Sequence, residues 1–364
     1  MSRRLQTLIL ILGIGTTIGV QGQPRHAMRT LERAVAAMNT KRYADAETIL
    51  RRLIKQYPRY NDARYELALA LAMQRKYDEA LRLSTELCDT LQPITAQREQ
   101  YYQLLGDLHR EQDDTTRAFE AYSIGLIRFP NSARLRVQRA VLILENGLHD
   151  SARAEIERAI EADPSYPLSY YWGARVYRFS SEPLWAILYA EIYLNMRPNS
   201  SRADEMSAIW YNLFREIVEQ YDEKQQIELW QPTKSEMYSS TERLPFPEAY
   251  RTTLTECIST LRFNRDFELP IASLDTLLRC FTARWQSKGY DTVYTNILIA
   301  RYEQLEREGL LGAYVHVLAQ FGKPMQFDDY AKKNQRILRR LEQWINRHPL
   351  QITHENSMSR SRWQ

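Results

Sequence analysis

Ala46 and Ala80 stand 34 residues apart, and Ala118, Ala152 and Ala186 repeat that interval twice more. Pro130, Pro164 and Pro198 keep the same step, each twelve residues after its alanine, and Pro58 follows Ala46 at the same distance. Two columns in one register describe a single supersecondary unit stacked several times. One such unit cannot bury its apolar face alone, so the pattern constrains the chain to a solenoid whose neighbours complete each other's core. Solenoids of this kind are binding scaffolds, and the period says more about architecture than about the partner.

The fourth unit shows the construction. Ala133 to Ile143 predicts a first helix, Glu145-Asn146-Gly147 a turn, Ser151 to Ala162 a second helix, and Asp163-Pro164 its end. Glycine permits a left-handed turn residue, and proline cannot extend the helix before it. Small residues at Ala140, Ala152 and Ala159 let paired helices approach, while Val137, Leu144 and Ile156 fill the space between them. With twelve glycines and abundant Arg, Leu, Glu and Ala, the composition favours helix throughout. The fold class expected is all-α.

These units resemble the tetratricopeptide repeat. The resemblance is carried by Ala34, Tyr43, Ala46 and Pro58 in the first unit, by Leu67, Ala68, Tyr77 and Ala80 in the second, and by Tyr102, Leu105, Gly106, Ala118, Tyr122 and Pro130 in the third. Ala140, Gly147, Ala152, Ala159 and Pro164 carry it in the fourth, and Tyr170, Ala174, Tyr177, Ala186 and Pro198 in a degenerate fifth. The family's hairpins stack into a superhelix whose concave groove is lined by first helices. That implies groove positions at Leu31, Val35, Tyr65, Leu69 and Met73, then at Gln103, Asp107, Arg110, Arg134, Tyr171, Arg175 and Arg178. Such a surface runs from apolar to cationic and aromatic and suits a peptide with an apolar and an acidic end, unless these side chains pack into adjacent helices instead. The family's carboxylate clamp for chaperone C-termini is absent, because its positions hold Leu31, Val35, Glu66, Gln100 and Leu104.

Four extra residues around Gln92 to Ala96 lengthen the turn between the second and third repeats, and Pro183 stands in the fifth turn where glycine is usual. Ser201 to Tyr221 reads as a capping helix, which closes a solenoid spanning 23–224. Residues 225–247, with Pro232, Pro245 and Pro247, read as a linker or long loop, and 248–350 as a separate helical domain. Its helices are expected at Phe246 to Phe263, Ile271 to Ser287, Tyr290 to Glu308, Leu310 to Phe321 and Asp328 to Arg347, with Asp328 as an N-cap and Gly289, Gly309 and Gly322 as stops. The last is basic and amphipathic: its charge is either a solvated face or a peripheral contact with anionic membrane. The tail 351–364 is polar and expected to fray.

Arg3 and Arg4, the apolar run Leu5 to Val20 and the site after Gly22 read as a cleavable export signal at 1–22. These features resemble exported periplasmic proteins of Bacteroidota-type bacteria. Removing two arginines and no acids takes the formal charge from +4 to +2, which argues against general nucleic-acid binding. Of Cys88, Cys257 and Cys280, the last two face each other if a helical hairpin bends near Asn264 to Pro270, buried free thiols being the alternative. The histidines His26, His109, His149, His316, His348 and His354 form no metal-ligand spacing, and no phosphate loop, dinucleotide fingerprint or nucleophile elbow is present. No metal, cofactor or catalytic residue is therefore expected, and His316 reads as a core histidine. The function expected is a non-enzymatic scaffold of the cell envelope that binds a protein or peptide, the alternative being an enzymatic or small-ligand site built from the Cys257, Arg284, Tyr302 and His316 segments. The sequence leaves the oligomeric state open.

Overall fold

The structure, a computed structural model, describes residues 24–89, 91, 93–231, 244–260 and 269–363. The export signal, most of the long loop and the bend near Asn264 lie outside the described residues. Eighteen α-helices and no strand occur among the described residues. The chain divides into two compact units, the first ending at Leu142 and the second beginning at Ile143.

In the first unit α1 (Arg25–Asn39) pairs with α2 (Tyr43–Gln56), α3 (Asn61–Met73) with α4 (Tyr77–Leu87), and α5 (Glu99–Glu111) with α6 (Thr115–Arg128), followed by α7 (Ala133–Glu145), which carries the division. In the second unit α8 (His149–Ala162) packs on α9 (Pro167–Tyr177), which pairs with α10 (Pro183–Met196) and leads to α11 (Ala203–Lys224). The alanine column lies at the hairpin contacts: Ala46, Ala80, Ala118, Ala152 and Ala186 are all 0% exposed. A longer side chain there would push the paired helices apart. Glycine serves the same end at two places, since a Cβ on Gly106 would collide with the Tyr122 ring and one on Gly173 with Tyr189.

A second periodicity appears in the backbone. Lys41, Arg75, Asp113 and Gly147, each five residues before its alanine, have φ of 61°, 62°, 59° and 76°. Each closes the first helix of its hairpin in the same way. The left-handed residue donates its N–H three residues back, as Arg75 does to Ala72 O at 2.9 Å, and the next residue donates five back, as Lys76 does to Leu71 O at 2.9 Å. Two carbonyls left over at the helix end are thereby satisfied. Ser181 holds the equivalent position in the fifth hairpin without the left-handed φ, and Pro183 instead begins α10.

The second unit continues with α12 (Phe246–Thr260), α13 (Ile271–Ser287), α14 (Tyr290–Val293), α15 (Ile297–Arg307), α16 (Leu311–Leu318), α17 (Pro324–Lys333) and α18 (Gln335–Arg347). Two helices expected to be continuous are broken. Asn296 accepts from the N–H groups of Leu298 and Ile299 and so starts α15 afresh after α14. Asn334 separates α17 from α18, and α17 begins at Pro324 rather than with Asp328 as its cap. Gly289 and Gly309 stop helices at φ of 69° and 65° as expected. Gly322 has no positive φ; it is small because Tyr211 lies against it.

The two compact units meet within α7, between Leu142 and Ile143. The second helix of repeat four, repeat five and the C-terminal helices lie in one unit, in which α10 is buried on nearly all sides, from Leu184 through Leu194. Its Glu191, 0% exposed, accepts from Trp210 Nε1 of α11 at 3.0 Å, Tyr302 of α15 at 2.5 Å and Tyr314 of α16 at 2.9 Å. Part of the expected linker is also packed: Ile227 and Leu229 are buried, and Leu184 N–H donates to Leu229 O. The tail, expected to fray, is held as well, with Ile352 and Met358 buried. On α18, Leu341 and Trp344 enter the core while Arg336, Arg339, Arg340 and Arg347 stay exposed, so its apolar side is already used.

Cys257 of α12 and Cys280 of α13 are disulfide-bonded, with Cα atoms 5.8 Å apart, and Cys88 is a buried free thiol. The bond spans 23 residues of sequence, and chain entropy predicts that reducing it costs about 3 kcal/mol, measurable as a lower urea midpoint in dithiothreitol that Cys88→Ser does not reproduce. The turn geometry makes a separate prediction. Arg75→Gly should raise stability by about 0.5–1 kcal/mol and Gly147→Ala lower it by about 1 kcal/mol in the same unfolding assay.

Candidate functional site

The first-helix face of the first unit is built by α1, α3, α5 and the start of α7. Of the residues expected there, Tyr65 and Leu69 are buried and Met73 is half-buried. The Tyr65 ring packs on that of Tyr101, with centroids 5.5 Å apart. Gln103 and Asp107 are buried too, one helical turn apart on α5, and Gln103 Nε2 donates to Asp107 Oδ2 at 3.3 Å. Tyr122 of α6 donates to Asp107 Oδ1 at 2.5 Å. Burial pushes the Asp107 carboxyl up to about 6, against the lowering effect of Tyr122 and the nearby Arg110 guanidinium. Arg110 is half-buried beside this pair. Arg134 donates to Gln103 Oε1 at 3.2 Å and lies 3.4 Å from Glu99.

In the second unit Tyr171 of α9 donates to Glu205 of α11 at 2.6 Å, and Arg175 lies 3.1 Å from the same carboxylate. Arg175 also stacks over the Trp172 ring at 4.5 Å. Arg178 pairs with Glu216 at 2.5 Å and covers Phe179, which is itself 90% exposed.

The cationic surface expected from Arg134, Arg175 and Arg178 is therefore neutralised. Each guanidinium is paired with a glutamate of a neighbouring helix in its own unit, and six of the twelve expected groove residues, Leu31, Tyr65, Leu69, Gln103, Asp107 and Tyr171, are buried in packing. Sequence spacing showed the first-helix register but not that the acids one hairpin away stand opposite the arginines. One carboxylate on this face has no partner among the described residues. Glu66 of α3 is half-buried, no hydrogen bond or ion pair from the described residues reaches its carboxylate, and burial together with Asp62 pushes it up to about 7.

The four segments of the alternative site go to different partners. Cys257 is bonded to Cys280, Arg284 pairs with Glu256 at 3.2 Å, and Tyr302 serves Glu191. His316 is half-buried; its Nδ1 donates to Gly312 O at 2.7 Å and its ring stacks on Tyr330 at 3.6 Å. Between α12, α13 and α14 the interior is filled by Phe246, Tyr250, Phe281 and Trp285. Among the described residues no three His, Cys, Asp or Glu side chains are grouped to hold a metal ion, and no described helix is long and apolar enough to cross a membrane.

The family model for the tetratricopeptide repeat matches residues 31–87 and 104–167. The hairpins within those residues are similar to tetratricopeptide repeats. The gap in the match spans the lengthened turn, where Ile94–Ala96 forms a short 3₁₀ turn and Leu91 and Ile94 stand exposed. Among solved structures the chain is similar to TTC0263, a thermophilic TPR protein of Thermus thermophilus, at 20% identity, covering 51% of this chain and 99% of that one with a TM-score of 0.43. It is similar to YrrB, a TPR protein with an unusual peptide-binding site, at 14% identity over 49% of this chain and 89% of that one, TM-score 0.34. The pilF protein of Pseudomonas aeruginosa matches at 16% identity over 52% of this chain and 97% of that one, TM-score 0.33. No curated protein sequence matches the chain.

Asp107 makes the repeats' stability pH-dependent with a definite sign. Its folded value of about 6 lies above the ordinary 3.8, so the folded state binds the extra proton between these values. Stability should fall as pH rises from about 4 to about 6, by on the order of 2 kcal/mol. Urea unfolding across that range checks it: Asp107→Asn should remove this slope.

Proposed function

We propose that the chain is an exported, non-catalytic scaffold of the cell envelope that holds a protein or peptide on the first-helix face of its repeats. The stacked hairpin register carries this reading, because a row of first helices presents an extended surface from successive repeats. The apolar run Leu5 to Val20 and the Cys257–Cys280 bond support export, since disulfides persist in oxidising compartments.

The chemistry of that face points to a basic rather than an acidic partner group. An acidic segment would have to displace Glu99, Glu205 or Glu216 from arginines they already neutralise, whereas a lysine or arginine would find Glu66 unmatched. Half-buried Val35 and Met73 offer apolar contact from neighbouring first helices. Photo-crosslinking in cells tests the reading. A crosslinking residue at Val35 should capture a partner, one at exposed Thr48 of α2 should not, and Glu66→Lys should reduce capture at Val35 at least five-fold. Equal capture at both positions would overturn it.

A further inference from the structure

The C-terminal segment is bound like a ligand. After α18 the chain has no helix until a single 3₁₀ turn at Arg360–Trp363, yet Ser357, Met358 and Ser359 are buried. Arg360 N–H donates to Glu157 Oε2 of α8 at 2.7 Å and lies 3.2 Å from the Tyr189 hydroxyl of α10. Its guanidinium makes a two-point contact with Glu182, which precedes α10, one arm at 2.6 Å. Ser361 donates to Glu161. Trp363 inserts between Phe246 and Tyr294, with centroids 5.0 and 6.0 Å away, and its buried Nε1 has no hydrogen-bond partner among the described residues, so the socket takes the ring for its apolar area.

The receiving surface is made by α8, the start of α10, α12 and Tyr294. Glu157 and Glu161 lie one turn apart on α8, and Glu182 stands at the start of α10; all three bond Arg360 or Ser361. Among the described residues Arg360 is the cation that meets Glu182 and Glu157. Tyr189 also donates to Glu157 at 2.7 Å, and burial raises that carboxyl to about 7. An empty site would leave Glu157 and Glu182 without their Arg360 contacts beside an open aromatic socket, which is a recognition surface for a guanidinium followed three residues later by an indole.

We propose that this surface on the second helices of repeats four and five is a second peptide-binding site, specific for Arg-x-x-Trp segments, and that the chain's own C-terminus is its resident, displaceable occupant. It lies on α8, the start of α10 and the Phe246–Tyr294 socket, not on the first helices, so it is independent of the first-helix site. A free peptide of this kind, or the tail of a second copy, competes with the resident segment.

The test uses a fluorescein-labelled peptide with the sequence of residues 356–364 and full-length protein. Arg360→Ala/Trp363→Ala, which loosens the resident tail, should bind the peptide with micromolar affinity, and wild type at least ten-fold more weakly. Replacing arginine by alanine in the peptide, or adding Glu182→Gln to the variant, should abolish binding. A folded double variant that binds no peptide, or wild type that binds as tightly as the variant, would overturn the proposal. If the double variant does not fold, hydrogen exchange on wild type decides. Amides of 357–363 should exchange at least a hundred-fold faster than those in the centres of α8 and α10, and exchange in step with those helices would refute displacement.

Discussion

Close approach of paired helices is the constraint from which the rest follows. At each hairpin an alanine with no exposed surface stands between two backbones, and glycine does the same where a tyrosine ring must lie flat against the neighbouring helix. Because the contact is made by small residues, the large ones at other positions are free to point across to the next hairpin. The four left-handed turn residues extend the same regularity, since a fixed helix exit is what lets one hairpin geometry recur.

Where the period stops, a polar interaction takes over. Glu191 lies on the second helix of the degenerate fifth repeat and gathers an indole and two phenols from three other helices. Burying a carboxylate is costly, and burial raises this one's pKa; three donors offset the cost only if all three helices are in place. Such a site favours one arrangement of α11, α15 and α16 around α10 over near alternatives that apolar packing alone would tolerate. It also explains why the compact unit contains both repeats and aperiodic helices.

Charge pairing decides how the candidate surfaces read. The arginines that looked available in the first-helix register are matched by glutamates from a neighbouring helix, while Glu66 is left without a mate among the described residues. Beside the second helices, Glu157, Glu161 and Glu182 are bonded by Arg360 and Ser361, more than 170 positions away in sequence. Both outcomes depend on long-range juxtaposition. A local pattern cannot distinguish a guanidinium facing solvent from one facing an acid on the next hairpin.

The sequence by itself determined the hairpins, their 34-residue register, the lengthened turn and the helix stops at Gly289 and Gly309, because these rest on local rules: small residues where helices touch, and glycine or proline where they end. It also showed the helical hairpin that could join Cys257 to Cys280. Tertiary structure decided where the chain divides, what neutralises the first-helix arginines and what holds the tail. The tail looked frayed because it has no periodicity of its own. Its order comes from carboxylates and aromatic rings on distant helices, and such cross-chain complementarity exists only once those helices have packed.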